Sequence, residues 1–291
     1  MLIPQWRSLL FVPANNPKLL EGAHKRGADL LILDLEDSVP GQDKAAAREQ
    51  LAGHIERLTG QGMAVAVRIN ADVSEYALDL VVAVRTGVEA IMLPKVETAK
   101  QLQVLDELIR VQEQRHGLVP GAVGIVALIE SPAALFRLQA IASHPRVVAL
   151  ALGSEDFALA MGVAPTPACL SLACQWLALA AIAHGKKAYG LTVSLADFTQ
   201  LNVLEQGAAQ ARASGLHGAL CIHPAQVGII NRAFAPSSAE LEWAAAVEAA
   251  WLDAQAQGLG AAQLGGAMLD KPVVERARRL LAQTRTSGVS S

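Results

Sequence analysis

Glu130 and Asp156 close two successive apolar runs of the chain, Gly124 to Ser131 and Val147 to Asp156. Two carboxylates at neighbouring strand ends, completed by water and substrate oxygens, suit a hard cation such as magnesium. A cation so held chelates an α-hydroxy or α-keto acid and stabilises the oxyanion that develops on it. The alternative is that one of these carboxylates merely pairs with Arg68 or Lys95. Arg68, near the end of the run Met63 to Ile69, carries a planar fork of donors suited to a carboxylate or thioester oxygen.

Leu33-Asp34-Leu35-Glu36-Asp37 puts Asp34 and Glu36 on one side of a strand, because side chains alternate. Two roles are open to this acidic group: accepting water ligands of a metal, or anchoring Arg7 and Arg68. The second is expected for Glu36 and Asp37. Pro13, Asn70, Lys95, Glu155 and His223 fall at or near the ends of further runs. A strand that ends in a charge can simply be meeting solvent. Several doing so together point to one polar rim. His24, His54, His116 and His144 lack partners at ligand spacing and read as surface or structural residues.

The elements that position this rim are legible as Val-, Ile- and Leu-rich runs: Arg7 to Pro13, Ala28 to Glu36, Met63 to Ile69, Glu89 to Val96, Gly124 to Ser131, Val147 to Asp156, Lys187 to Leu191 and Gly218 to Pro224. They are near-continuously apolar, as parallel strands buried on both faces must be, and the intervals hold crossover helices. Leu102, Leu105, Leu108, Ile109 and Gln112, for example, share one helical face. Eight such units predict an α/β fold of (β/α)8 barrel type, over residues 1–225, with the site at the C-terminal strand ends. An open doubly wound sheet is the alternative. No G-x-G-x-x-G follows the first strand and no G-x-x-x-x-G-K-[ST] occurs, which removes the two commonest nucleotide-binding reasons for it. Residues 226–291 read as a C-terminal helical extension: a helix near Ala239 to Gln257, a Gly-rich turn, and a last helix after Pro272.

With 52% hydrophobic and 18% charged residues, the 291-residue chain can bury a large core. A net charge of −3 with scattered Lys and Arg speaks against nucleic-acid binding. The start has no cationic segment leading into an apolar one, so no signal peptide is expected, and a cytoplasmic location follows. The Ala-rich stretch Ala168 to His184 is shorter than the roughly 20 residues that span a bilayer and reads as a buried helix, so no membrane role is expected. Cys169, Cys174 and Cys221 form no CxxC pair and read as small core residues.

Taken in order, Arg7-Ser-Leu-Leu-Phe-Val-Pro13, Leu33-Asp-Leu-Glu-Asp37 with Lys44 and Arg48, Val67-Arg-Ile-Asn70, Leu93-Pro-Lys-Val-Glu97, Leu128-Ile-Glu-Ser131, Gly153-Ser-Glu-Asp-Phe157 and Ile222-His-Pro-Ala-Gln226 resemble the citrate lyase β-subunit-like family of the HpcH/HpaI aldolase superfamily. Malyl-CoA and citramalyl-CoA lyases are among its members. The resemblance implies a magnesium-dependent carbon–carbon lyase that splits a short 3-hydroxyacyl coenzyme A thioester into a keto acid and acetyl-CoA, or joins them. It matches Glu130 and Asp156 to the metal ligands and Arg68 to the substrate-carboxylate arginine. Lys18, Lys44, Ile222 and His223 match coenzyme A-binding positions, and Asp34, Glu36, Asp37, Lys95, Glu155 and Arg7 support the site. It further implies a homo-oligomer, trimer or hexamer, in which Asp270, within Gly266-Ala-Met-Leu-Asp-Lys-Pro272, serves a neighbouring site as acid/base group, its pKa raised by Met268 and Leu269. On its own, Asp270 ahead of Pro272 reads as a helix N-cap. A citrate lyase subunit working on an acyl carrier protein thioester, and a non-catalytic keto-acid-binding barrel, are the alternatives.

The family often carries Asp-x-x-Tyr-x-Asp at strand seven, where this chain has Gly190-Leu-Thr-Val-Ser-Leu195, and often Arg where this chain has Cys174. These departures bear on the acyl substrate and the seating of coenzyme A.

Overall fold

The computed structural model describes residues 5–259 and 261–286. Eight parallel strands appear where the apolar runs placed them: β1 (Ser8–Pro13), β2 (Leu30–Asp34), β3 (Val65–Arg68), β4 (Val88–Leu93), β5 (Gly124–Ile129), β6 (Val147–Leu152), β7 (Lys187–Tyr189) and β8 (Ala219–Cys221). They pair in the order β7-β6-β5-β4-β3-β2-β1-β8. The Tyr189–Gly218 bridge and the bond from Gly190 N–H to the Gly218 carbonyl (3.0 Å) join β7 to β8 and close the barrel. The open sheet is thereby excluded. Strands β2, β5 and β6 are buried along their whole length, as strands with barrel interior on one face and helices on the other must be.

Closure depends on one glycine. The Ala219 N–H donates to the Arg7 carbonyl at 2.8 Å, and a Cβ on Gly218 would stand 2.2 Å from that oxygen. Only a residue without a side chain lets β8 approach β1 this closely.

Every strand is followed by helix. The longer ones are Lys44–Gly60, Val73–Ala83, Ala99–Arg115, Pro167–Ala183 and Leu201–Ala213. Ala99–Arg115 buries Leu102, Leu105, Ile109 and Gln112, the face expected from its spacing, and starts with a capping box between Thr98 and Gln101. Pro224–Ala233 is the eighth barrel helix, packed on β1, β8 and Leu201–Ala213. For that reason the compact unit runs to Phe234, past the sequence-based boundary at 225.

The second unit begins at Ala235 and packs helix Ser238–Ala256 against helix Lys271–Thr286 around Ala244, Val247, Trp251, Leu269, Val274 and Ala277. Between them lies an antiparallel hairpin, Ala262–Leu264 with Ala267–Leu269, where the sequence predicts only a Gly-rich turn. Gly265 and Gly266 have φ of 57° and 83°, as a two-residue hairpin turn demands. Among the described residues, no helix is long and apolar enough to cross a membrane.

Candidate active site

Asp34 and Arg68 are ladder partners at the C-terminal ends of β2 and β3, so their side chains meet across the rim. Arg68 Nε and Nη2 each donate to one oxygen of Asp34 at 2.7 Å, and Nη1 faces Glu36 Oε2 at 3.0 Å and Asp37 Oδ2 at 3.5 Å. The Phe11 ring of β1 lies under the guanidinium, 4.7 Å from its carbon. Burial alone would raise the Asp34 carboxyl, but the hydrogen bonds from Arg68 outweigh it and hold it below the ordinary carboxylate range. Of the two arginines expected to pair with this acidic group, Arg68 does so with both Glu36 and Asp37.

Glu130 follows β5 and is buried. Its Oε2 accepts the backbone N–H of Lys95 at 2.6 Å. The Lys95 ammonium turns the other way, to Glu36 Oε1 at 3.2 Å. Burial pushes the Glu130 carboxyl up to about 8, the Lys95 N–H partly offsets this, and the nearby Asp156 and Glu36 charges add to it. Asp34, Glu36, Asp37, Glu130 and Asp156 thus set five carboxylates against the two cations Arg68 and Lys95, which leaves three negative charges when all are ionised. A buried carboxylate that resists ionisation beside a second one is a site that a divalent cation satisfies. Among the described residues no group of three or more His, Cys, Asp or Glu is poised as a metal cage. A pair with the remaining positions left to water and substrate oxygen is the arrangement magnesium favours. The residues fit the ion.

Asp156 needs a correction. It was expected to end a strand, but β6 stops at Leu152, and Asp156 stands in the first turn of helix Ser154–Met161. Gly153 breaks the run there. Glu155, beside it, accepts Ser194 Oγ at 2.8 Å and the Leu195 N–H at 3.1 Å, so its role is to hold the segment after β7. The Leu195 carbonyl in turn accepts from Gln226 Nε2 at 2.9 Å, and Gln226 Oε1 receives the Ile222 and His223 N–H groups. The departure from Asp-x-x-Tyr-x-Asp is therefore accommodated by a latch: Leu195 is bound at both its N–H and its C=O. His223 caps helix Pro224–Ala233 and stacks on Phe198, ring centroids 4.5 Å apart, while Ile222 is exposed.

Arg7 does not reach the rim. It precedes β1 and pairs with Asp29, which precedes β2, through bonds of 2.8 and 2.9 Å at the opposite end of the barrel. Lys18 is exposed on helix Pro17–Glu21. Lys44 opens helix Lys44–Gly60 and bonds Asn70, whose N–H and side-chain amide donate to buried Asp79. Arg48 completes that group with bonds to Asp79 (2.6 Å) and Glu75. Asp79 was not singled out from sequence, and Gly153 and Gln226 stood in the quoted motifs without a role of their own. Asp79 had a signal, an acid amid the apolar residues of Val73–Ala83, and Gln226 stands at the capping-box position after His223.

Asp270 belongs to the C-terminal unit, where its Oδ1 accepts the Val273 N–H at 3.2 Å as an N-cap. Leu269 is turned into that unit's core and Met268 is 74% exposed, so neither supplies the apolar surroundings expected for Asp270.

Residues 7–224 match the model of the HpcH/HpaI aldolase/citrate lyase family. The citrate lyase subunit beta of Escherichia coli (strain K12) is 32% identical over 286 residues, 97% of this chain and 94% of that one. The (3S)-malyl-CoA thioesterase of Cereibacter sphaeroides (strain ATCC 17025 / ATH 2.4.3) is 31% identical, covering 96% of this chain and 94% of its own. Among solved structures, the protein CitE of Mycobacterium tuberculosis in complex with magnesium, acetoacetate and coenzyme A superposes with a TM-score of 0.76 at 29% identity, over 98% of this chain and all of that one (100%).

Proposed function

This chain belongs to the HpcH/HpaI aldolase/citrate lyase family and is a lyase, and we propose that it is a magnesium-dependent carbon–carbon lyase for a short 3-hydroxyacyl coenzyme A thioester such as malyl-CoA or citramalyl-CoA. The products would be a keto acid and acetyl-CoA, and the reverse reaction is the condensation of the two. The observation that carries the reading is the rim itself: buried Glu130 at the end of β5, within the electrostatic reach of Asp156, and an excess of carboxylate over Arg68 and Lys95.

In this reading Glu130 and Asp156 hold magnesium, and Arg68 Nη1 orients the substrate carboxylate. When bound, the ion supplies a positive centre that chelates the substrate carboxylate and β-hydroxyl and stabilises negative charge on oxygen. A base removes the hydroxyl proton, the carbon–carbon bond breaks, and its electron pair passes into the thioester enolate. Asp270, reaching over from a neighbouring subunit, delivers a proton to the enolate carbon, and in the reverse direction takes it from the thioester methyl. Lys18 and Lys44 meet the coenzyme A phosphates, with Ile222 and His223 along the path of the cofactor.

A homo-oligomer, trimer or hexamer, is part of the proposal. Helix Pro167–Ala183 supports it: the helix bears no charged residue and still exposes Leu172, Leu179 and Ile182. A helix apolar all round is normally covered. A cytoplasmic location is in keeping with the three free cysteines.

A citryl thioester on an acyl carrier protein, giving oxaloacetate, is the second substrate reading, favoured by the 32% identity to citrate lyase subunit beta. A non-catalytic keto-acid-binding barrel has less support, since such a module needs no acid/base group like Asp270. Assaying the purified protein on malyl-CoA, citramalyl-CoA and a citryl carrier-protein thioester, while following keto acid and free thiol separately, decides which thioester is the substrate.

A further inference from the structure

We propose that Lys95 and Gly153 are positioning residues for Glu130, Lys95 acting through its left-handed backbone and not through its charge. The inference rests on the magnesium reading of Glu130 and goes beyond it.

Lys95 has φ of +53° and is the one non-glycine residue with positive φ among those described. For an L-residue with a side chain this conformation is strained, because Cβ crowds the following carbonyl oxygen. Four contacts hold it in place. Its N–H donates to Glu130 Oε2 at 2.6 Å, its ammonium to Glu36 Oε1 at 3.2 Å, and its carbonyl accepts Gln101 Nε2 at 3.4 Å. The next residue, Val96, donates its N–H to the Leu128 carbonyl of β5 at 3.1 Å. A turn at Lys95 is what allows the backbone to aim at Glu130 while the side chain leaves toward Glu36. Strain held by surrounding contacts in this way belongs to functional sites.

Gly153 confines Glu130 from the β6 side. A Cβ there would lie 2.6 Å from Glu130 Cγ and 2.8 Å from Oε1, closer than carbon and oxygen tolerate. The carboxylate is therefore fixed between the loop after β4 and the end of β6. Oε2 is committed to the Lys95 N–H, and Oε1, which makes no hydrogen bond among the described residues, is the oxygen left for a cation.

The test separates backbone from charge by titrating Mn2+ into wild type and variants and reading free Mn2+ by electron paramagnetic resonance. Lys95→Gly and Lys95→Asn accept positive φ and lose the ammonium, whereas Lys95→Val is β-branched and resists it. The expected result is Mn2+ affinity at or above wild type for the Gly and Asn variants, since losing the ammonium only adds to the negative charge of the rim. Lys95→Val and, independently, Gly153→Ala weaken it on the order of tenfold or more, with kcat falling more than KM rises. In a Glu130→Gln background neither Lys95→Val nor Gly153→Ala adds a further loss. Equal affinity in Lys95→Gly and Lys95→Val, with Gly153→Ala as tight as wild type, overturns the proposal while leaving the magnesium reading standing. No Mn2+ binding by wild type removes both.

Discussion

Arg68 and Asp34 share two parallel hydrogen bonds of 2.7 Å across the β2–β3 ladder, and this pair occupies one whole edge of the guanidinium. Nη1 alone is turned toward Glu36 and Asp37. If Arg68 takes the substrate carboxylate as proposed, the approach is on that side, and Asp37, with its side chain 59% exposed, is the neighbour free to yield. An arginine whose charge is fixed by a buried partner is pre-set in orientation before substrate arrives.

Removing the guanidinium strands buried carboxylates. Arg68→Gln is expected to destabilise the protein by about 3 to 5 kcal/mol, because Asp34 and Glu36 lose their shared cation. Urea unfolding measures this, and adding Asp34→Asn to the same variant should recover part of the loss. A full-strength double mutant no better than Arg68→Gln alone would deny the pairing its role.

The latch on the segment after β7 is expected to matter for substrate affinity. Glu155→Ala frees Ser194 Oγ and the Leu195 N–H, raises KM several-fold and costs about 1 kcal/mol, while Glu155→Gln keeps an acceptor and stays nearer wild type. Hydrogen exchange at the Leu195 amide checks the mechanism: it should accelerate in the Ala variant only.

His217 predicts acid sensitivity away from the rim. Its Nδ1 accepts the Ala188 N–H at 3.2 Å, and burial, with the Lys187 charge nearby, lowers its pKa to about 4. The unfolded chain takes up this proton near pH 6.5 and the folded chain only near 4. Between those values the unfolded state holds the extra proton, so stability falls as pH falls, by at most about 1.4 kcal/mol per pH unit. His217→Gln should flatten the slope of unfolding free energy from pH 6.5 to 4.

Cys174 and Cys221 are buried, which pushes both thiols up to about 12, while Cys169 is half-buried. A thiol reagent should titrate one cysteine in the native protein and three after unfolding.

If Asp270 serves a neighbouring subunit, mixing inactive Asp270→Asn with inactive Glu130→Gln chains under exchange conditions should restore part of the activity. Hybrids without any recovery would contradict a shared site.

The barrel was legible because β2, β5 and β6 are apolar on both faces, and most of the rim because Asp34, Arg68 and Glu130 follow such runs directly. What escaped notice has local causes. Asp156 was read one element early, since Gly153-Ser154 ends β6 and begins a helix within two residues. Arg7 lies at the opposite end of the barrel because it starts a strand instead of ending one, and its partner Asp29 likewise stands ahead of β2. The Gly265-Gly266 pair marked the hairpin, but flanking runs of three residues carry too little alternation to read as strands. Lys95 gave no sign of its φ, for lysine has no preference for the left-handed region, and only the contacts around it impose one.

The most direct measurement is turnover of malyl-CoA and citramalyl-CoA by EDTA-stripped protein before and after adding magnesium, with keto acid and free thiol followed in parallel. No turnover is expected without the ion and, on its return, keto acid should form in step with acetyl-CoA. Turnover unchanged by thorough chelation, or thiol released without keto acid, would contradict a magnesium-dependent lyase.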